Sequence, residues 1–254
     1  LSQIENFQKT LWEKKKFIVS SDYCVTIDLV PDELHGEILA NEKQLKQWRS
    51  LSVLKDGEIV TTESIKKGAH RMVDTSLFPE SFKAKLLLAL PNLDDVVSGT
   101  LIHGDNFQGL GIIENKLRKK VDCIYIDPPY NTDASAISYK NGYKSSSWAS
   151  MVESRVTRSK SILNDKGVIV AAIDDAQQRE LNFILSDVFE GNILGTVAVR
   201  SNPSGRPTKS GYAVSHEYLI FAGATDSSVI GRLPPTPQQM ARFNQVDNDG
   251  PFEW

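Results

Sequence analysis

The chain has 254 residues, 40% of them hydrophobic, and a formal net charge of −3. That is enough apolar material to bury a core over one or two domains, and the slightly acidic balance excludes a global electrostatic pull towards nucleic acid, so any DNA contact must come from local patches. Cys24 and Cys123 are too few for a disulfide framework, the four histidines have no metal-ligand spacing, and no signal peptide or long apolar span is visible, so the expectation is a cytoplasmic protein without structural zinc or membrane association.

Residues 1–98 read as a separate, charged and mainly helical accessory region. Ile4, Phe7, Leu11 and Trp12 follow helical spacing, and Lys14-Lys15-Lys16 places charge suited to a helix carboxyl end. Residues 17–29 are β-rich, residues 33–51 read as one helix, and Gly57-Glu58 marks a turn. Nothing here carries a catalytic constellation. The readings are a structural cap, a subunit contact, a dimer contact or a DNA arm.

From Gly99 strands alternate with helices, which argues for a parallel or mostly parallel α/β sheet covered on both faces. Asp105, in Gly104-Asp105-Asn106, follows another predicted strand, and Gly109-Leu110-Gly111 falls in a helix start. Val121 to Ile126 has the length and composition of a buried strand, with Cys123 in its core. It ends in Asp127-Pro128-Pro129-Tyr130. Pro128 cannot donate to a ladder and keeps Asp127 out of the helical region, so the four residues sit at a strand's carboxyl end, where open α/β sheets bind ligands.

Beyond them, residues 133–144 form a loop in which Tyr143 either closes over a substrate or joins the core. Ser145, Ser146 and Ser147 offer caps for a helix with Trp148, Met151, Val152, Val156 and Leu163 inward, ended by residues 164–167. Arg155, Arg158 and Lys160 fall on its polar face. Residues 168–173 are a second buried strand, Asp174-Asp175 cap a helix through Leu181, Leu185 and Val188, and residues 196–199 and 218–222 are two more strands joined by a long polar loop. That loop holds Arg200, Arg206 and Lys209 with no acid between residues 200 and 211; it is either a phosphate-contacting segment or a solvated surface loop. The expected organisation is residues 1–98, a catalytic region 99–235 and a further region 236–254.

The tetrapeptide suits methylation of an exocyclic amino group. An aromatic amine is a poor nucleophile because its lone pair is delocalised into the ring. The Asp127 carboxylate and the Pro128 carbonyl can accept its two N–H hydrogens and turn the lone pair towards a methyl donor, Pro129 fixes the backbone, and Tyr130 can stack on a base flipped from the duplex. No covalent enzyme intermediate is required.

Asp127-Pro128-Pro129-Tyr130-Asn131-Thr132 resembles the catalytic motif of amino-group DNA methyltransferases, and its surroundings are similar to the modification (Mod) subunit of type III restriction systems. The likeness runs through residues 101–108, Tyr139 to Tyr143, Ser146-Ser147-Trp148, Gly167-Val168-Ile169-Val170, Ile173-Asp174-Asp175, Ser215-His216-Glu217-Tyr218 and Asp247-Asn248-Asp249. It implies a Rossmann-like sheet, S-adenosyl-L-methionine as methyl donor, adenine N6 as acceptor, and double-stranded DNA with a flipped adenine as substrate. It also implies a restriction (Res) subunit or a second copy as partners, with the target-recognition region beginning near residue 236. Asp105 and Asn106 are assigned by this resemblance to the adenosine end of the cofactor, beside the alternative of a plain turn or helix cap. Asp127 also faces the cofactor, and Asn131, Tyr143, Arg200, Arg206 and Lys209 face DNA.

Two departures stand out. Asp133 replaces the glycine usual after Asn-Thr, and no Phe-x-Gly-x-Gly loop for the methionine end of the cofactor follows Tyr130. The chain is therefore expected to be the front part of a longer enzyme, inactive alone. The rival readings are an N4-cytosine enzyme, a non-catalytic module docking DNA or a Res-like subunit, and a protein-glutamine or RNA-base methyltransferase.

Overall fold

The computed structural model describes residues 18–55, 57–68, 71–131, 143–201, 214–242, 245–247 and 250–252. These fall into two units, one ending at His103 and one beginning at Gly104.

The first unit pairs two short antiparallel strands, β1 (Cys24–Thr26) and β2 (Met72–Asp74). Around them lie helices α1 (His35–Leu39), α2 (Glu42–Ser50), α3 (Glu80–Ala89) and α4 (Leu93–Val96). The helix expected over residues 33–51 is broken at Asn41, whose side chain accepts from the backbone N–H groups of Lys43 and Gln44 and so starts α2 afresh. Ile27, Ile38, Trp48, Ile65, Val73, Phe82 and Leu86 form this unit's own core. Trp48 donates its indole N–H to the Met72 carbonyl at 2.7 Å, and buried Gln44 accepts from the Asp74 N–H at 2.9 Å, so α2 grips β2 through polar as well as apolar contacts. Ile4, Phe7, Leu11, Trp12 and the lysine run lie outside the described residues.

The second unit starts with α5 (Asn106–Leu117) and continues through β3 (Val121–Ile126), α6 (Ser145–Lys160), β4 (Leu163–Ile173), α7 (Gln178–Val188), β5 (Ile193–Arg200) and β6 (His216–Gly223). A short helix α8 (Pro237–Met240) and a hairpin, β7 (Gln245–Asp247) with β8 (Gly250–Phe252), follow. The main sheet has the order β3-β4-β6-β5. Only β3 and β4 are parallel; β6 runs antiparallel to both β4 and β5, which corrects the expectation of a mostly parallel sheet. β3 and β4 are joined through the crossover helix α6, which returns the chain parallel, whereas the consecutive strands β5 and β6 pair directly as antiparallel neighbours.

One face of the sheet is buried under α6 and α7. Trp148, Val152 and Val156 of α6, at helical spacing, and Leu181, Ile184 and Leu185 of α7 pack on Ile169, Ala171 and Ile173 of β4 and on Ile220 and Ala222 of β6. Gly167 lets β3 and β4 close up where their register slips, since a Cβ there would lie 3.0 Å from the Val121 carbonyl oxygen.

Several expectations are corrected. β3 is half exposed rather than buried, because it ends the described sheet order and only Val121, Ile124 and Ile126 face the helices; Tyr125 is 63% exposed and Cys123 is a free, exposed thiol. The strand expected before Asp105 is absent: residues 97–104 form none and Leu101 is 96% exposed, for so short a run makes a strand only where a ladder partner exists, and no described residue supplies one. Lys144, not a serine, is the N-cap of α6, with Ser145 already helical. That helix stops at Lys160, and Leu163 opens β4. Asp174 bonds the Ala176 N–H in a turn instead of capping α7, whose N-cap is Gln177.

Candidate active site

Asp127, Pro128, Pro129 and Tyr130 leave β3 at its carboxyl end. The ends of β4, β5 and the start of antiparallel β6 lie on the same rim, so Asp175, Arg200, His216, Glu217 and Tyr218 belong to it as well.

The tetrapeptide is anchored from below. Trp148, fully buried on α6, donates its indole N–H to the Pro129 carbonyl at 2.7 Å. That bond fixes the second proline, while no described residue donates to the Pro128 carbonyl. Asp127 is exposed and Tyr130 is partly buried against the core. The Tyr130 hydroxyl donates to Glu217 Oε2 at 3.1 Å. Burial, followed by the nearby Asp127 and Glu217 carboxylates, holds this phenol far above its ordinary range, so it stays protonated and neutral.

Asn131 has φ +59°, a left-handed conformation that asparagine tolerates better than most residues. Its side chain accepts from the Tyr143 N–H at 2.7 Å and donates to the Tyr143 carbonyl at 3.0 Å. The amide thereby ties together the two ends of the segment 132–142, which itself lies outside the described residues.

Beside this, Tyr218 donates to Asp175 Oδ1 at 2.9 Å and its oxygen is 2.9 Å from His216 Nε2. The bond to Asp175 raises the Tyr218 phenol. Arg200 pairs in register with His216 and is exposed at the end of β5; Arg206 and Lys209 lie outside the described residues.

Asp105 and Asn106 begin α5. One Asp105 oxygen caps the helix by accepting from the N–H groups of Phe107 and Gln108, and the other pairs with Arg155 at 3.1 Å. Arg155 also donates from Nε to the Asn106 side chain. Arg158 lies 4.2 Å from the Phe107 ring centroid and donates to the Phe107 carbonyl at 2.9 Å. Arg155 and Arg158 are thus not a solvated face but a clamp on the start of α5, and Lys160 reaches the Val188 carbonyl and Glu190. Both the cap and the exposed polar groups at Asp105 and Asn106 exist together, so the two sequence readings of this turn are compatible.

Sequence reasoning missed the Trp148, Arg155 and Glu217 links. The available signal was general: a buried indole N–H needs an acceptor, and Trp148 was expected to be buried. Among the described residues no cluster of metal-ligating side chains occurs, and no helix is long and apolar enough to cross a membrane.

The model of the DNA methylase family matches residues 121–247, half of the chain. The type II methyltransferase M.KpnI of Klebsiella pneumoniae is 30% identical over 167 residues, covering 62% of this chain and 39% of its own length. The Mod subunit of the probable type III restriction-modification enzyme HindVI of Haemophilus influenzae is 34% identical over 106 residues, covering 41% of this chain and 14% of its own length. The EcoPI Mod subunit of Escherichia phage P1 is 25% identical over 185 residues, covering 60% and 29%. The chain therefore spans well under half the length of these relatives. Among solved structures, M1.HpyAVI aligns with a TM-score of 0.38 and 20% identity over 53% of this chain and 60% of that one. By the match over β3 to β7, which contains the Asp127-Pro128-Pro129-Tyr130 rim, this chain belongs to the DNA methylase family.

Proposed function

We propose that this chain forms the methyl-acceptor site of a restriction-modification DNA methyltransferase acting on adenine N6. The observation that carries the reading is the state of the tetrapeptide. The Pro129 carbonyl is taken by Trp148, while the exposed Asp127 carboxylate and the Pro128 carbonyl remain as acceptors for the two hydrogens of an exocyclic amine. Acceptors fixed before the substrate arrives need no reorganisation during reaction.

In this reading the Asp127 carboxylate and Pro128 carbonyl rotate the amine so that its lone pair leaves the ring plane. Tyr130, held by Glu217, presents its ring to the flipped base, where stacking contributes about 1–3 kcal/mol. Methylation would place the new N–C bond on that lone pair as the donor's S–C bond breaks, the sulfur leaving as a neutral thioether and one amine proton passing by way of the Asp127 carboxylate to solvent. S-adenosylmethionine, when bound, supplies the electrophilic methyl group. The donor set suits it: a rim carrying the Asp127, Asp175 and Glu217 carboxylates matches a cationic donor, and Asp105 and Asn106 are the residues that would hold its adenosine end.

DNA would lie across the rim with phosphates at Arg200, Arg206 and Lys209, and Asn131 with Tyr143 would shape the segment entering the base pocket. The substrate is double-stranded DNA in the cytoplasm, with a Res subunit or a second copy as protein partner. The relatives that are Mod subunits support this setting, and the aspartate before the two prolines favours adenine over cytosine.

The test is expression of this chain, joined to the remaining length of a Mod-type relative, in a host whose DNA lacks N6-methyladenine, followed by nucleoside analysis of its DNA. N6-methyldeoxyadenosine that disappears with Asp127→Ala is expected. Methylation that persists in Asp127→Ala would sink the reading, and N4-methyldeoxycytidine in its place would move it to the cytosine enzyme.

A further inference from the structure

The Tyr130 hydroxyl has one proton and two carboxylates within its reach: it donates to Glu217 Oε2 at 3.1 Å, and Asp127 is the second, weaker acceptor. The consequence falls on Asp127. A carboxylate that accepts the phenol has a lone pair directed at the enzyme, and the amine must then compete with a fixed hydroxyl for it. The geometry points to Glu217 as a positioning residue that draws the Tyr130 hydroxyl away and keeps Asp127 free to accept the substrate amine. This rests on the acceptor-site reading given above.

The placement is built by the fold. Glu217 is the second residue of β6, and β6 pairs with β4, so its carboxylate is delivered to the rim from a strand that β3 does not touch. Its neighbours His216 and Tyr218 are engaged with each other and with Asp175. Tyr130 is packed against the core, so its ring is confined while its hydroxyl turns between two acceptors. A charged acceptor outcompetes a neutral one for a phenol, so Glu217→Gln, which keeps the volume, hands the hydroxyl to Asp127 as Glu217→Ala does.

The test is a double-mutant cycle read on Asp127 itself. In the whole chain labelled at aspartate carboxyl carbons, the Asp127 resonance, assigned by its loss in Asp127→Asn, is followed through a pH titration. Tyr130→Phe is introduced with Glu217 intact and again on Glu217→Gln and Glu217→Ala. With Glu217 intact, removing the hydroxyl is expected to move the Asp127 midpoint less than it does on either substituted background. On either substituted background it is expected to raise the midpoint by roughly half a unit or more, as a hydrogen bond to the charged form is lost. The loss of Glu217's own charge is common to both members of each comparison and cancels. An equal effect of Tyr130→Phe on all backgrounds overturns the proposal.

A methyl-transfer arm separates this from the function itself. Glu217→Gln is expected to lower kcat about tenfold with KM for DNA little changed, and adding Tyr130→Phe to restore part of the loss. This arm uses the chain joined to the remaining length of a Mod-type relative; absence of transfer from that unsubstituted enzyme would count against the acceptor-site reading, while the titration cycle would still decide the role of Glu217.

Discussion

The indole N–H of Trp148 donates to the carbonyl of Pro129 at 2.7 Å, joining the fully buried face of α6 to the second proline of the rim. Trp148→Phe keeps an aromatic ring but removes the donor and leaves a void. It is expected to lower unfolding free energy by about 1–3 kcal/mol, read from urea denaturation. Unchanged stability would mean that the Pro129 carbonyl finds another donor at no cost.

Asn131 combines a left-handed backbone with two hydrogen bonds to Tyr143, and the two contributions can be separated. Asn131→Gly suits φ +59° but loses both bonds, whereas Asn131→Ala loses the bonds and adds about 1 kcal/mol of strain. Hydrogen exchange at the Tyr143 amide is expected to accelerate at least about tenfold in both, more in the alanine variant. Equal protection in all three proteins would show that the tie is incidental.

The two arginines on α6 are expected to differ. Arg158 has a side chain only 14% exposed and covers the Phe107 ring while bonding its carbonyl, so Arg158→Ala should cost about 2 kcal/mol of stability. The Arg155–Asp105 pair is more exposed, and Arg155→Ala should cost no more than about 1 kcal/mol. If Asp105 and Asn106 hold S-adenosylmethionine, calorimetric binding should weaken more in Arg155→Ala than its small stability loss suggests. The reverse ordering of the two stability effects would refute the clamp.

Asp74 gives the first unit a pH dependence of known sign. Burial alone would raise this carboxyl, but the Ser76 hydroxyl, the Gln47 amide and the Ser76 N–H bond it and together hold it below the ordinary carboxylate value. A depressed folded value means a contribution present above the unfolded value of about 4 and lost as pH falls through the folded one. Unfolding followed by the Trp48 signal should therefore become easier on acidification below about pH 4, and Asp74→Asn should flatten that part of the profile. An identical acid profile in the variant would remove Asp74 from the account.

The sequence by itself determined where the Asp127-Pro128-Pro129-Tyr130 rim lies. Val121 to Ile126 had to be a strand, two prolines had to stop it, and the acid and aromatic had to emerge at its end, because all of these follow from local backbone constraints. The inward spacing of Trp148, Val152 and Val156, and that of Leu181 and Leu185, likewise named the helix faces that meet the sheet.

Only the tertiary structure decided what those residues hold. Strand direction in β6, the exposure of Cys123 and Tyr125 and the missing strand before Asp105 depend on which neighbour is available, and no local pattern specifies that. The same is true of the polar links. Trp148 to Pro129, Arg155 to Asp105 and Tyr130 to Glu217 span 19, 50 and 87 positions of sequence. A side chain's hydrogen-bonding capacity is written in its identity, but its partner is fixed only when packing brings distant backbone segments within about 3 Å.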